Sequence, residues 1–307
     1  FKPREYQNLI INQILDKPRT AIWAGMGMGK TSSTLTALET MYLAGESRPT
    51  LVLAPLRVCN STWPEEAHKW AHLTEIDVQP VTGDEKNRLA ALKRDASIYA
   101  CNYQNIPWLV DHYGAHWPFG TVVADESTRL KSFRLRQGGV RAQALAKVAH
   151  KNVKRFINLT GTPAPNGLQD LWGQTWFLDA GQRLGRTYSA FTDRWFCRTA
   201  DGFGRELRSQ SAADEIYNKL RDICLTIEAR DWFDLKEPIV KEIEVEMPRS
   251  ARRLYDQLKK DLILQIEQHT ITAANAAVKT QKLLQMANGA AYVDPNVDDD
   301  CDPRARE

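Results

Sequence analysis

The sequence predicts an α/β protein in which helices flank a parallel sheet, followed by a mainly helical segment. Short apolar runs typical of buried parallel strands lie at 20–23, 50–56 and 121–124. Stretches with helical spacing lie between them, as at 32–43. A glycine-rich loop joins the first strand to the helix that follows it, the connection found where open α/β sheets bind ligands.

Further elements fit the same plan. Apolar residues with a helical period occupy 1–16, and Trp63 with the Pro after it opens another helix with acidic residues in its first turn. We expect more short strands at 78–81, 97–100 and 153–158. Later in the chain, alternation over 241–247 predicts a half-exposed strand, and 250–285 predicts long helices.

Composition places the chain among globular proteins. Its 307 residues are 43% hydrophobic and 26% charged, enough for one large or two ordinary domains. No apolar run is long enough to cross a bilayer and no signal peptide opens the chain, so we expect a cytoplasmic location and no membrane partner. The five cysteines are far apart, which argues against a disulfide framework or a zinc ribbon. The start at Phe1 predicts a piece of a longer protein.

The loop at 24–31 has the features that a backbone needs to hold a triphosphate. Its glycines, which let N–H groups turn onto phosphate oxygens, are Gly25, Gly27 and Gly29. Lys30 would reach the outer phosphates, and the Thr31 hydroxyl would hold Mg²⁺. The strict motif has Gly where this chain has Ala24, although a small residue still permits the turn. A chance Lys-Thr pair in an ordinary loop is the alternative, and the flanking strand and helix disfavour it.

Two carboxylates follow the strand at 121–124. Asp125 is suited to hold Mg²⁺ through water, and Glu126 to accept a proton from the water that attacks a γ-phosphate. Alone, such a pair after an apolar strand means little. Downstream of a phosphate loop, it predicts a nucleotide hydrolase.

Two weaker signals complete the nucleotide site. The Gln7 amide can donate and accept at once, as the adenine edge requires, with Tyr6 packed beside it. Thr160, Gly161 and Thr162 end another strand, and their hydroxyls could relay the state of the γ-phosphate. An ordinary strand-to-helix turn is the alternative there.

The motifs in order resemble those of superfamily 2 helicase-like ATPases, at 6–7, 24–31, 53–56, 125–128 and 159–163. The stretches 159–166 and 168–172 resemble the Swi/Snf-type branch of DNA translocases, and 129–132 is similar to it too. Residues 283–290 resemble the compact members found in phages and prophages, for which the location would be the host cytoplasm.

The resemblance implies a RecA-like ATP-binding lobe over 1–165, a helical insertion over 166–236, and a linker strand and helices over 237–307. These would lead to a second RecA-like lobe, which supplies catalytic arginines in the family. The implied cofactors are ATP and Mg²⁺, and the implied activity is ATP hydrolysis that drives movement along duplex or single-stranded DNA. We expect Pro55, Lys131, Arg134 and Arg136 to contact the nucleic acid, with arginines beyond residue 180 as the alternative track.

The sequence departs from the family at Thr128, where the family usually has His. The link from this position to the Thr160–Thr162 segment must then be made by a hydroxyl or be lost. Two other functions stay open at this point. One is a nucleotide-gated module that binds DNA or protein with little turnover, and the other is a metabolic kinase, disfavoured because no acceptor-substrate signature accompanies the phosphate loop.

Overall fold

The structure, a computed structural model, describes residues 2–199, 204–233, 241–242, 244–267 and 273–289. The chain divides into two compact units, residues 1–236 and 237–307. The first unit contains the sheet and the motifs described above. In the second unit, the described residues include two helices that pack against each other.

The strands are β1 (Arg19–Ala24), β2 (Thr50–Ala54), β3 (Val78–Val81), β4 (Ile98–Asn102), β5 (Thr121–Asp125), β6 (Arg155–Thr160), β7 (Phe196–Arg198), β8 (Arg205–Leu207) and β9 (Cys224–Ile227). Seven of them form a parallel sheet in the order β3-β4-β2-β5-β6-β1-β9. β7 and β8 form a separate antiparallel hairpin.

The helices of the first unit are α1 (Glu5–Asp16), α2 (Lys30–Leu43), α3 (Trp63–Lys69), α4 (Glu85–Leu92), α5 (Ile106–Tyr113), α6 (Val140–Ala149), α7 (Asp170–Asp179), α8 (Tyr188–Trp195) and α9 (Gln210–Leu220). Those of the second unit are α10 (Arg249–Glu267) and α11 (Ala273–Ala287).

Each face of the sheet carries its own hydrophobic core, because successive side chains of a strand point to opposite faces. On β2, Leu51 and Leu53 join the core that contains residues of α5 to α9. Val52 and Ala54 join the core that contains residues of α1 to α3. This double burial explains why the strands are continuous apolar runs in the sequence.

The predicted fold class is confirmed: helices flank a parallel sheet, and mainly helical structure follows. Two details differ from the sequence prediction. The segment 166–236 is not wholly helical, since it holds the β7-β8 hairpin and returns to the main sheet at β9 beside β1. The predicted strand at 241–247 is wrong for its described residues, 241–242 and 244–247, which form no strand. Alternation there did not reflect pairing with a neighbour.

The strand register sets the position of the site. β6 lies between β5 and β1, with Leu159 beside Asp125 and Thr160 beside Trp23. Because the strands are parallel, the segments that follow Ala24, Asp125 and Thr160 all leave the sheet at its carboxyl edge.

Candidate functional site

The glycine loop connects β1 to α2 with the backbone shape that its glycines permit. Gly27 and Gly29 both have positive φ, at 76° and 68°. Gly29 is the N-cap residue of α2, so the positive end of a 14-residue helix opens onto the loop. Met26 at the tip is 94% exposed, whereas Met28 is buried and anchors the loop to the core.

Lys30 begins α2 and folds back over the loop. Its Nζ donates to the backbone oxygens of Ala24 and Gly25, at 2.8 Å and 3.0 Å. Burial lowers the pKa of this ammonium, while the carboxylates of Asp125 and Glu126 raise it. A cation near two carboxylates and beside a glycine loop is suited to an anionic ligand that would replace the carbonyl contacts. Thr31 follows in the first turn, half-buried.

Asp125 ends β5 as a buried carboxylate. Its Oδ2 accepts a hydrogen bond of 3.0 Å from the indole Nε1 of Trp63, and its backbone oxygen accepts one of 2.9 Å from the hydroxyl of Tyr103. Burial raises the pKa of Asp125, and the Trp63 N–H opposes this by lowering it. Sequence reasoning identified Trp63 only as the start of a helix, and no local pattern marks it as a partner of Asp125.

Glu126 has the left-handed backbone conformation, with φ 57° and ψ 56°. Such a conformation is uncommon outside glycine, and it turns this side chain out of the strand direction that Asp125 follows. The two acids therefore differ in environment, since Asp125 is buried and Glu126 is half-buried. The separate roles of the two acids stay a prediction.

Gln7 lies against the glycine loop. Its Oε1 accepts from the backbone N–H of Arg4 at 2.9 Å, in a capping box at the start of α1. A Cβ added to Gly29 would lie 2.2 Å from the Gln7 Nε2, so this approach requires glycine at position 29. Gln7 is thus placed at the loop, as the motif predicts.

Tyr6 is placed less simply, because its ring is only 4% exposed. Trp232 and Phe233 pack against it, with ring centroids 5.6 Å and 5.7 Å away. The sequence did not indicate this contact, since more than 220 residues separate the partners along the chain. The Tyr6 ring therefore has two aromatic neighbours in addition to any adenine that binds here.

The Thr-Gly-Thr loop, residues 160–166, begins where β6 ends and touches the glycine loop. A Cβ on Gly161 would lie 3.4 Å from the Ala24 oxygen and 3.6 Å from the Gly25 Cα. Thr160 is fully buried, and its hydroxyl accepts from the backbone N–H of Thr162 at 3.2 Å. The predicted coupling residues at 160–162 therefore lie directly beside the predicted phosphate site.

The segment after the acidic pair, residues 127–131, is linked to the Thr-Gly-Thr loop by Gln174, a residue that the sequence did not indicate. The hydroxyl that reaches towards the loop belongs to Ser127, and it donates to the Gln174 Oε1 at 2.8 Å. The Gln174 Nε2 then donates to the Pro163 oxygen at 2.7 Å. Thr128, the predicted coupling position, lies half-buried in the turn Ser127–Leu130.

The residues predicted to contact nucleic acid have different surroundings. Lys131 pairs with Asp170 at 3.0 Å. The Arg134 guanidinium lies 3.3 Å from the centre of the Tyr188 ring and donates to the oxygens of Lys131 and Phe133. Arg136 is exposed and takes part in no ion pair between described residues. Pro55 lies half-buried just after β2 at the carboxyl edge.

The residues present fit Mg²⁺ only in the company of a nucleotide. Among the described residues, no group of three or more His, Cys, Asp or Glu side chains is placed to hold a metal ion by itself. Thr31 and Asp125 offer two oxygen ligands, directly or through water, and Mg²⁺ commonly completes its octahedron with phosphate oxygens and water.

No helix in the described part of the chain is long and apolar enough to cross a membrane.

Comparison with known proteins agrees with this geometry. The family model of the SNF2-related domain matches residues 19–290. Putative protein p41 of Acyrthosiphon pisum secondary endosymbiont phage 1 is 58% identical over 301 residues, which cover 96% of this chain and 65% of that protein. Helicase SWR1 of Saccharomyces cerevisiae is 28% identical over 224 residues, which cover 65% of this chain and 14% of that protein. The chain thus spans about two thirds of the phage relative.

A solved structure shares the fold. The Sulfolobus solfataricus SWI2/SNF2 ATPase core in complex with dsDNA matches with a TM-score of 0.59 and 21% identity, covering 93% of this chain and 58% of that chain. A second structure, of the Sulfolobus solfataricus SWI2/SNF2 ATPase core domain, matches with a TM-score of 0.56. Given the family match over most of its length, the chain belongs to the SNF2-related domain family.

Proposed function

We propose that this chain is the ATP-binding lobe of a DNA-dependent ATPase of Swi/Snf type, which hydrolyses ATP with Mg²⁺ to move along DNA. One observation carries the proposal: the glycine loop with Lys30, the acidic pair and the Thr-Gly-Thr loop leave three adjacent parallel strands at one edge of the sheet.

The roles of the residues follow from their surroundings. The loop N–H groups and Lys30 would bind the β- and γ-phosphates, with Lys30 exchanging its present carbonyl partners for phosphate oxygens. Thr31 and Asp125 would hold Mg²⁺, which neutralises charge on the phosphates when bound. Glu126 would orient a water molecule and take its proton as the water oxygen bonds to the γ-phosphorus, while the bond to the bridging oxygen of ADP breaks.

DNA enters the proposal through the relatives. The Sulfolobus core, whose fold this chain shares, is described in complex with dsDNA, which supports duplex DNA as the track. Exposed Arg136 and the carboxyl-edge segment after β2 are the groups of this chain that we assign to the phosphate backbone.

Full turnover would also need positive charge from across the cleft. Phosphoryl transfer spreads negative charge over the γ-phosphoryl oxygens, and an arginine supplied from a second element is worth about 10³ to 10⁵ in rate. The family resemblance assigns such arginines to a second RecA-like lobe. We therefore expect residues 1–307 alone to bind ATP with Mg²⁺ and to hydrolyse it slowly, whatever DNA is added.

The test measures ATP hydrolysis by this chain and by a longer protein that carries the second lobe, each with single-stranded DNA, duplex DNA and RNA. We expect strong stimulation by duplex DNA in the longer protein only, lost in its Lys30→Ala variant so that contamination is excluded. Nucleotide-dependent DNA binding without turnover in the longer protein would favour a nucleotide-gated binding module instead.

A further inference from the structure

The amide of Gln174 joins two loops of the site from within α7. Its Oε1 accepts from the Ser127 hydroxyl at 2.8 Å, and its Nε2 donates to the Pro163 oxygen at 2.7 Å and to the Asp170 oxygen at 3.0 Å. Gln174 is 4% exposed and Ser127 is fully buried. The hydrogen bond between Ser127 and Gln174 is therefore buried, and the other two are partly buried.

A second contact at the start of α7 joins the same two loops. One carboxylate oxygen of Asp170 accepts from the Lys131 Nζ at 3.0 Å and from the backbone N–H of Asn166 at 3.0 Å. The first half of α7 thus contacts the segment after the acidic pair and the Thr-Gly-Thr loop at two places.

α7 packs directly against the turn that follows the acidic pair. A Cβ added to Gly173 would lie 2.5 Å from the Lys131 oxygen and 2.7 Å from the Leu130 oxygen, so the helix and the turn are in direct backbone contact. On the other side, the Asn158 Nδ2 donates to the Gln174 backbone oxygen at 3.0 Å, which fixes α7 to β6. α7 is therefore packed directly between the turn and β6.

This arrangement makes the positions of the two loops depend on each other. The amide accepts at one end and donates at the other, so a shift of either loop must carry the amide with it or leave a buried polar group unpaired. An unpaired buried donor or acceptor costs about 1 to 3 kcal/mol. The cheaper response is a joint movement of both loops.

We infer that Gln174 is a positioning residue that couples nucleotide binding to DNA binding, by linking the turn after the acidic pair to the Thr-Gly-Thr loop through Ser127 and Pro163. The inference rests on the proposed function. It assigns the coupling that the sequence left to Thr128 to a different hydroxyl, that of Ser127, and to a residue 47 positions further along the chain.

The test needs only binding, so this chain suffices. The coupling factor is the ratio of the Kd for a short duplex DNA without and with a non-hydrolysable ATP analogue plus Mg²⁺. Linkage requires that DNA change the Kd of the analogue by the same factor, so both are measured. For the wild-type chain we expect a factor of about 5 or more, the lower end of typical couplings.

Three variants interrupt the link in different ways. Ser127→Ala removes the hydrogen bond from Ser127 to Gln174. Gln174→Glu keeps an acceptor for the Ser127 hydroxyl but removes the N–H that donates to the Pro163 oxygen. Gln174→Leu removes both hydrogen bonds. Thr175→Val is the matched control, because the Thr175 hydroxyl donates within α7, to the Leu171 oxygen, and its loss leaves both loops untouched.

We expect each of the three variants to lower the coupling factor below about 2, while Kd values for the analogue alone and for DNA alone change less than about threefold. Ser127→Ala combined with Gln174→Leu should lower it no further than Gln174→Leu alone, since residues of one network are not additive. A merely structural role would lower the melting temperature and leave the factor unchanged. Ser127→Ala, a loss of one oxygen, keeps the test available if a Gln174 variant unfolds.

The outcomes separate the two proposals. If the wild-type chain binds neither the analogue nor DNA, the proposed function fails. If it binds both with a coupling factor of one, or if the variants keep the wild-type factor, the role of Gln174 is overturned and the proposed function stands.

Discussion

The glycine loop and the basic segment 131–136 are both motif-like in the sequence, yet their charged side chains have different surroundings in the structure. At the loop, Lys30 lies near the Asp125 and Glu126 carboxylates and donates hydrogen bonds to backbone carbonyls that a phosphate could replace. In the basic segment, Lys131 is paired with Asp170, and Arg134 is packed on Tyr188. Only Arg136 projects into solvent.

The difference teaches which sequence signals are reliable. The proposed role of the loop depends on its backbone conformation, which the glycines of the motif permit locally. The basic side chains act through whichever partner reaches them, and their partners lie 39 and 54 residues away along the chain. Charge in a motif therefore predicts a binding role only when its neighbours in space are also known.

The largest effect should come from Lys30→Ala, which tests the loop side of the comparison. Removing a preorganised cation at the phosphates should lower turnover of the longer protein by about 10² to 10³. Binding of a fluorescent ATP analogue to this chain should weaken as well. Lys147→Ala, an exposed lysine on α6, is the control and should change neither quantity. A normal hydrolysis rate in Lys30→Ala would contradict the assignment of the loop.

Glu126→Gln separates the two acids. The change removes the proton acceptor and keeps size and shape, so turnover of the longer protein should fall by roughly 10²-fold or more with little change in ATP affinity. Asp125→Ala should instead weaken Mg²⁺-dependent ATP binding. Glu65→Gln, an exposed glutamate in α3, serves as control. Equal losses of ATP affinity from the Asp125 and Glu126 changes would refute the separate roles.

Trp63→Phe removes a hydrogen-bond partner of Asp125 that the sequence did not indicate. Without the indole N–H, the pKa of Asp125 should rise further. As the pH is lowered, Mg²⁺-dependent ATP binding should therefore begin to weaken at a higher pH in the variant than in the wild-type chain. At neutral pH we expect an affinity loss of up to about tenfold, and a stability loss of about 1.5 to 3 kcal/mol for the hydrogen bond to a charged group. Calorimetric titration and thermal melting measure the two effects.

The matched control for this variant is Trp70→Phe. The Trp70 indole lies at the end of the same helix and donates to Glu66 instead. If both substitutions shifted the pH dependence of ATP binding alike, the hydrogen bond to Asp125 would not be the cause.

The smallest effect tests the basic side. Arg136→Ala should lower the slope of log K against log salt for DNA binding by about 1, with stability changed by less than about 0.5 kcal/mol. Lys131→Ala and Arg134→Ala should lower the melting temperature and change the salt slope less, because both side chains already have protein partners. Lys131→Ala could instead lower the salt slope as much as Arg136→Ala does, with an unchanged melting temperature. That result would show that Lys131 leaves Asp170 to bind DNA.

Much of the fold was predictable because it depends on local patterns. Buried parallel strands read as apolar runs, and the described strands β1 to β6 lie where those runs predict them. β9 was missed, since Cys224–Ile227 is short and its place beside β1 is decided by pairing across 200 residues. The strand expected at 241–247 is wrong for its described residues, 241–242 and 244–247, where apolar and charged residues alternate without forming a strand.

The site was predictable to the same depth. The sequence identified the groups that we propose as the nucleotide site, because the phosphate loop and the acidic pair have fixed spacings. It did not identify the groups that hold them, namely Trp63 at Asp125, Gln174 at Ser127, and Trp232 with Phe233 at Tyr6. Each of these contacts joins residues at least 47 positions apart, and no short pattern encodes them.

The left-handed conformation of Glu126 sets fold stability against activity at a single position. A side chain in this region costs about 1 to 2 kcal/mol relative to the right-handed one, and Gly or Asn tolerates it better. Selection of this chain for heat resistance alone would therefore favour Gly or Asn at 126, and such a variant would lose the group that we expect to activate water. Engineering this chain for stability at position 126 would therefore remove the proposed proton acceptor.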